Sequence, residues 1–236
     1  MNIAGPVIQL YIHDALRTTT FSFVNFPSLY APRGAQSYRY TVECRGSDGA
    51  KFGRQTLTVP AFGAVEAEIT QLFGTELPPW GTVHVSLRPT SFFTRHDQHL
   101  GRLTPHFYAL YHEPEMGFLA LVHPQTEAWA GGGPLEEWRS TLLIDTELAE
   151  FVEAFQINPT ARSVTSELRV YDEDGVVLTS ASTVLPAFGV RRERWVVKDL
   201  GAGRWVSLGA DRLAAPNAKP LVFATNRAGL ISGSHS

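Results

Sequence analysis

Apolar and polar positions alternate along this chain in short runs of period two. Tyr38–Cys44 (YRYTVEC), Val65–Phe73 (VEAEITQLF) and Val190–Leu200 (VRRERWVVKDL) put every second residue on one face, the pattern of a strand buried on one side. Further strands are expected at GTVHVSL (81–87), HFYALYH (106–112), GFLALVH (117–123), GRWVSL (203–208) and PLVFATN (220–226). Asp174-Gly175, between the β-rich runs ELRVY and VVLTSASTVL, has the composition of a hairpin turn. One segment competes. In TELAEFVEAF (146–155), Leu148, Phe151, Val152 and Phe155 fall at helical spacing.

An internal repeat decides that segment. VPAFG at 59–63 returns as LPAFG at 185–189, 126 positions on, inside a longer match of Ser47–Val65 with Glu173–Arg191 that sets Asp48-Gly49 over Asp174-Gly175. Upstream, Ile8–Ser28 lies over Ser140–Thr160 at an offset of 132, matching Leu10, Ile12, Leu16, Phe23 and Pro27 to Leu142, Ile144, Leu148, Phe155 and Pro159. The partner of TELAEFVEAF in that alignment is rich in β-branched and aromatic residues, so a strand is expected there as well. Downstream, an offset of 121 sets Trp205 at the place of His84, and an offset of 112 sets Gly117–His123 over Gly229–His235.

The fold class expected is therefore all-β: two tandem antiparallel β-sandwich domains from an internal duplication, packed about a pseudo-twofold axis. Copy one is 1–125, a Gly-rich linker is 126–137, and copy two is 138–236. The Pro-Ala-Phe-Gly unit is expected to form a structural corner in each copy, with Pro60, Phe62 and Gly63 repeated as Pro186, Phe188 and Gly189. Proline ends the ladder, glycine takes a positive φ, and the phenylalanine plugs the core.

LTVPA (57–61), followed by a polar strand, and KPLVFATNR (219–227) carry a resemblance. Each copy resembles the small β-sandwich of the sensory rhodopsin transducer family, and the resemblance implies soluble, cytoplasmic, oligomeric domains linked to signalling or ligand binding. Two copies in one chain depart from that family's pattern, and no functional residue carries over.

Composition narrows the partners. Charged residues make up 18% of the 236, the net charge is -3, and no run of Lys or Arg forms a stripe, which argues against nucleic acid. No apolar stretch approaches the roughly 18 to 20 residues of a membrane-spanning helix. The single cysteine, Cys44, excludes an intramolecular disulfide, and MNIAGPVIQLYIHDALR lacks the basic and long apolar regions of a secretory signal. Cytoplasmic residence is the expectation.

Six of the eight histidines lie between His84 and His123. If EPEMG (113–117) turns a hairpin, His123 returns beside His106, within a residue of register, and the segment HDQH adds His96, Asp97 and His99. The first expectation is no cofactor; the alternative is a divalent metal, for which imidazole and carboxylate groups so arranged are ligands. No serine-nucleophile elbow, P-loop or dinucleotide fingerprint is present. Five tryptophans and a Phe92-Phe93 pair supply rings that could stack on sugars. The reading is a non-enzymatic binding or assembly module with a protein partner or self-association. The alternatives are a small metal- or histidine-dependent enzyme with its site in copy one, and carbohydrate binding through loop aromatics.

Overall fold

Alternating apolar residues build the outer strands, and near-continuous apolar runs build central strands buried on both faces. The computed structural model describes residues 5–30, 35–90, 104–113, 117–124, 126–129, 137–140, 142–215, 217–226 and 229–234. The first half contains β1 (Val7–Ile12), β2 (Thr18–Val24), α1 (Phe26–Tyr30), β3 (Tyr38–Gly46), β4 (Lys51–Val59), β5 (Ala64–Glu68), α2 (Ile69–Phe73), β6 (Trp80–Pro89), β7 (His106–Glu113), β8 (Gly117–Val122) and β9 (Thr126–Glu127). The second contains β10 (Trp138–Arg139), β11 (Ile144–Asp145), β12 (Phe151–Ile157), β13 (Val164–Tyr171), β14 (Val177–Leu185), β15 (Val190–Val196), β16 (Trp205–Ala210), β17 (Leu221–Asn226) and β18 (Gly229–Ser234).

Among the described residues four antiparallel sheets result. Their orders are β4-β3-β6-β1-β9 and β5-β2-β7-β8 in the first half, and β14-β13-β16-β10, with β11 also on β16, and β15-β12-β17-β18 in the second. The sheets β5-β2-β7-β8 and β15-β12-β17-β18 match strand for strand, and β4-β3-β6-β1 matches β14-β13-β16 with β10 and β11 together at the place of β1, while β9 has no counterpart among the described residues. The halves also share irregularities: the β3/β4 ladder slips between Cys44 and Arg45, and the β13/β14 ladder slips between Val170 and Tyr171, 126 positions on. The β7/β8 and β17/β18 ladders slip at Tyr111/His112 and at Ala224/Thr225.

In the first half, Tyr38, Tyr40, Val42 and Val85 of one sheet face Phe21, Phe23 and Phe107 of the other, and the Phe23 and Tyr40 rings lie 5.6 Å apart across the sandwich. A second cluster, built on Trp138, Val152, Leu168, Val170, Val206 and Ala224, fills the other half.

Four local features differ from the pattern-based reading, the first being that VRRERWVVKDL is a strand only as far as Val196 and ends in a short helical turn over Val197–Leu200. TELAEFVEAF is a turn followed by the strand β12, as the repeat indicated. VEAEITQLF is a strand only as far as Glu68. There Gln71 Oε1 accepts the Glu68 N–H at 3.1 Å, and Ile69 and Leu72, three apart, bury together as one turn of α2. Thr126 and Glu127, within the expected linker, form β9 and pair with β1. Among the described residues no helix is long and apolar enough to cross a membrane.

The sheet faces of the two halves do not meet about a twofold axis. The outer face of β12, β15 and β17 (Phe155, Ile157, Val190, Leu221, Phe223) joins the first half's cluster and packs on β1 and β6. Trp80 meets Phe155 edge-on at 6.3 Å, and Tyr111 meets Phe223 at 5.1 Å. A twofold would bury the equivalent face of β2, β5 and β7, yet Thr20, Ser22, Tyr108 and Leu110 are only half-buried. On these faces unlike surfaces are joined, a heterologous contact, while the edge strands β8 and β18, which hold the same place in their sheets, also meet.

Charge crosses this contact. Arg17 Nη1 donates to Glu153 Oε2 at 2.7 Å and its Nη2 to Asp14 Oδ2 at 2.6 Å, while Arg192 takes the other Glu153 oxygen. Burial would raise the Asp14 carboxyl, but the Arg17 hydrogen bonds and charge outweigh it and hold it below the usual carboxylate range.

Candidate functional site

The Pro-Ala-Phe-Gly corners are turns closed by Gly63 N–H to Pro60 O at 3.1 Å and by Gly189 N–H to Pro186 O at 3.0 Å. The expected division of labour inside them is reversed. Positive φ falls on the phenylalanines, 56° at both Phe62 and Phe188, a conformation that costs an L residue roughly 1 to 2 kcal/mol. Glycine is required for space: a Cβ on Gly63 would meet the Pro60 ring at 2.7 Å, and one on Gly189 would meet Pro186 and the Ser47 carbonyl at 2.5 Å.

Phe62 does not plug a core either, being 58% exposed. Phe188 instead docks on the first half. His84 meets its ring edge-on at 5.4 Å, the Arg45 guanidinium lies 4.9 Å from its centroid, and its carbonyl accepts from Thr82 Oγ1 at 3.2 Å. Beside it, Val190 N–H donates to Ser47 O at 2.9 Å.

Each corner hangs on an asparagine that the sequence alignment passed over. Asn25 Nδ2 donates to the carbonyls of Val59 (3.3 Å) and Pro60 (2.8 Å), and Asn158 Nδ2 to those of Leu185 (3.2 Å) and Pro186 (2.9 Å). Their backbone N–H groups donate to Gly63 O and Gly189 O. These bonds equate Asn25 with Asn158, an offset of 133 and not 132. Likewise Arg45 pairs with Thr82 and Tyr171 with Ser207, which sets Trp205 at the place of Trp80 and not of His84. The Asn of VNFPS and INPT was the available signal; the matched prolines obscured it.

Burial pushes the His84 imidazole down to about 4, with the Arg45 charge adding to the effect and Glu43 opposing it. The sign follows. The unfolded chain binds a proton at this histidine below about 6.5 and the folded chain does not, so stability is present above that value and is lost as pH falls toward 4. We expect a loss of about 3 kcal/mol over this window. His84→Gln should flatten that part of the urea-midpoint curve; equal slopes in the two proteins would refute the assignment.

His106 and His123 line one cavity of about 300 Å³ with Tyr108, Thr126 and Glu127. The ladder pairs Ala109 with Val122, so His123 continues abreast of Tyr108, two positions from the partnering expected. The His106 ring stacks on Phe26 at 4.4 Å, and burial lowers its pKa. His96, Asp97 and His99 lie outside the described residues. Among the described residues no group of three His, Cys, Asp or Glu stands close enough to hold a metal.

Most of the tryptophans considered for sugar stacking are packed instead. Trp138 is buried, the Arg192 guanidinium covers Trp80, and Arg204 lies over Trp205; Trp129 is 39% exposed. Cys44 is buried, and that burial drives its thiol up to about 12, leaving it a poor nucleophile at neutral pH.

A further cavity was not foreseen. It has a volume of about 750 Å³ and lies at one end of the second sandwich, between the turn before β12 and the short helical turn after β15. Leu148, Ala149, Phe151 and Val196 form an apolar wall, and Glu147, Glu150, Lys198 and Asp199 stand on its rim. The Arg194 guanidinium lies 3.9 Å from the Phe151 ring centroid.

No family model matches the chain, and no curated protein matches it. Among solved structures there is similarity to a glycosyl hydrolase family 2 member from Bacteroides cellulosilyticus, with 10% identity and a TM-score of 0.21, over 96% of this chain and 25% of that one. A likeness of that size carries no assignment.

Proposed function

We propose that the chain is a non-catalytic binding module made of two copies of one β-sandwich, 1–125 and 138–236, arisen by internal duplication and working in the cytoplasm. Shared strand order, shared ladder slips and the paired asparagine clamps support the duplication. An unpaired, unreactive Cys44 suits a reducing compartment. The resemblance of LTVPA and PLVFATNR to transducer-type sandwiches points the same way.

The observation that carries the binding reading is the 750 Å³ cavity. Its size is that of a small-molecule site, and an apolar wall with three rim carboxylates against one lysine favours an amphipathic ligand bearing a positive charge.

Saturation-transfer NMR with a panel of alkyl- and arylamines, beside matched methyl glycosides, tests this. The amines should show contact, and Leu148→Lys, at a position 58% exposed and so harmless to folding, should weaken them about tenfold or more. Amine signals that are absent, or unchanged in the variant, would sink the reading, and glycoside signals would favour the carbohydrate alternative. A second reading rests on the shared cavity of His106 and His123. Stoichiometric metal in the purified protein, lost on His106→Ala, would put a histidine-dependent enzyme in place of the binding module.

A further inference from the structure

The two halves protect their outermost strands differently. β4 carries Lys51 and Arg54, charges that discourage strand pairing at an open edge. β14 reads VLTSASTVL, nine residues with no charge, proline or glycine, and among the described residues β13 is its one ladder partner. The segment is nearly the same in both directions about Ala181. Ser180 mirrors Ser182, Thr179 mirrors Thr183, and Leu178 mirrors Val184.

We infer that β14 is a self-association edge, at which two copies of the chain join β14 to β14 antiparallel about a twofold axis through Ala181. Backbone parity supports this register. Glu167 N–H donates to Asp211 Oδ1 and Glu167 O accepts from Asp211 N–H, so both Glu167 groups face the β16 side. Ser182, its partner across the ladder, therefore turns its own N–H and C=O toward the open edge, and Ser180 shares that parity. With the axis at Ala181, Ser180 of one chain lies opposite Ser182 of the other and their edge-facing groups exchange hydrogen bonds.

Side chains agree with the backbone. The register sets serine against serine on the exposed face, threonine against threonine on the inner face, and leucine against valine beyond them, with no like charges opposed. A strand from another protein would need no such mirror symmetry; a second copy of this chain does. Arg191 Nε donates to the Val184 carbonyl at 3.2 Å and marks where the pairing stops. The inference does not rest on the ligand cavity, which lies elsewhere in the second half.

Sedimentation velocity of the full chain tests it. An edge pairing buries little area, so a Kd of about 10 μM is expected. Ser182→Pro removes an edge-facing N–H where no ladder partner is lost, and should raise that Kd tenfold or more with the thermal midpoint unchanged. Two further variants, Ser180→Lys/Ser182→Lys and Ser180→Glu/Ser182→Glu, should each be monomeric alone and dimerise when mixed; they decide the matter if the proline variant fails to fold. A wild-type chain that stays monomeric up to about 0.1 mM, ten times the expected Kd, overturns the inference. So does a dimer that survives Ser182→Pro, or a mixture of the charged variants that stays monomeric.

Discussion

Replacing Glu153 with alanine should cost the folded chain about 4 kcal/mol, because it strands a buried guanidinium without one of its two carboxylates. Arg17 and Glu153 are each about 4% exposed at the side chain, and they belong to different halves. Removing both charges should cost less than removing one. An apolar pair of similar volume, Arg17→Met with Glu153→Leu, is expected to recover part of the loss, since the desolvation of both ions disappears together while Asp14 and Arg192, each partly exposed, lose their partner. Urea titrations of the single and double variants read the difference. A loss under about 1 kcal/mol in Glu153→Ala would show that the network adds little to the contact.

Asn158→Ala should be comparably damaging, at about 4 kcal/mol, for a different reason. Asn158 is fully buried, its amide donates to the carbonyls of Arg162, Leu185 and Pro186, and its oxygen accepts from the Thr160 N–H and hydroxyl. Alanine leaves several buried polar groups unpaired, each worth about 1 to 3 kcal/mol. Asn158→Asp should be at least as harmful, since a carboxylate would face the carbonyls that the amide now serves. Denaturant midpoints for both variants check this, and an aspartate variant as stable as the parent would refute the clamp. Phe188 sits on that corner, so the damage should reach the contact between halves and expose tryptophan fluorescence at lower urea.

The all-β class was legible because alternation is local: Tyr40, Val42 and Cys44 face the core, and Arg39 and Thr41 do not. The internal sequence repeat was readable where turn chemistry fixes register, as at Asp48-Gly49 and Asp174-Gly175. It slipped by one residue near Asn25, where matched prolines outweighed matched asparagines, and a slip of one moves every side chain to the opposite face. The joining of unlike faces was not readable, because Phe155 and Phe62 look equally apolar in one dimension. Nor was the large cavity, whose walls come from residues as far apart as Thr146 and Asn226. The histidine pair was half legible: β7 and β8 do bring His106 and His123 to one cavity, but the slip at Tyr111/His112 shifts their alignment.

The contact between unlike faces also sets a timetable for synthesis. Ile8, Leu10, Ile12 and Trp80 pack in a cluster completed by Phe155 and Phe223, and Trp80 to Phe223 is 143 positions along the chain. At ordinary ribosomal speeds that interval is on the order of 10 s. Throughout it the nascent first half carries an uncovered apolar sheet face, a surface on which a chaperone would act and a place where a stalled ribosome would leave an aggregation-prone fragment.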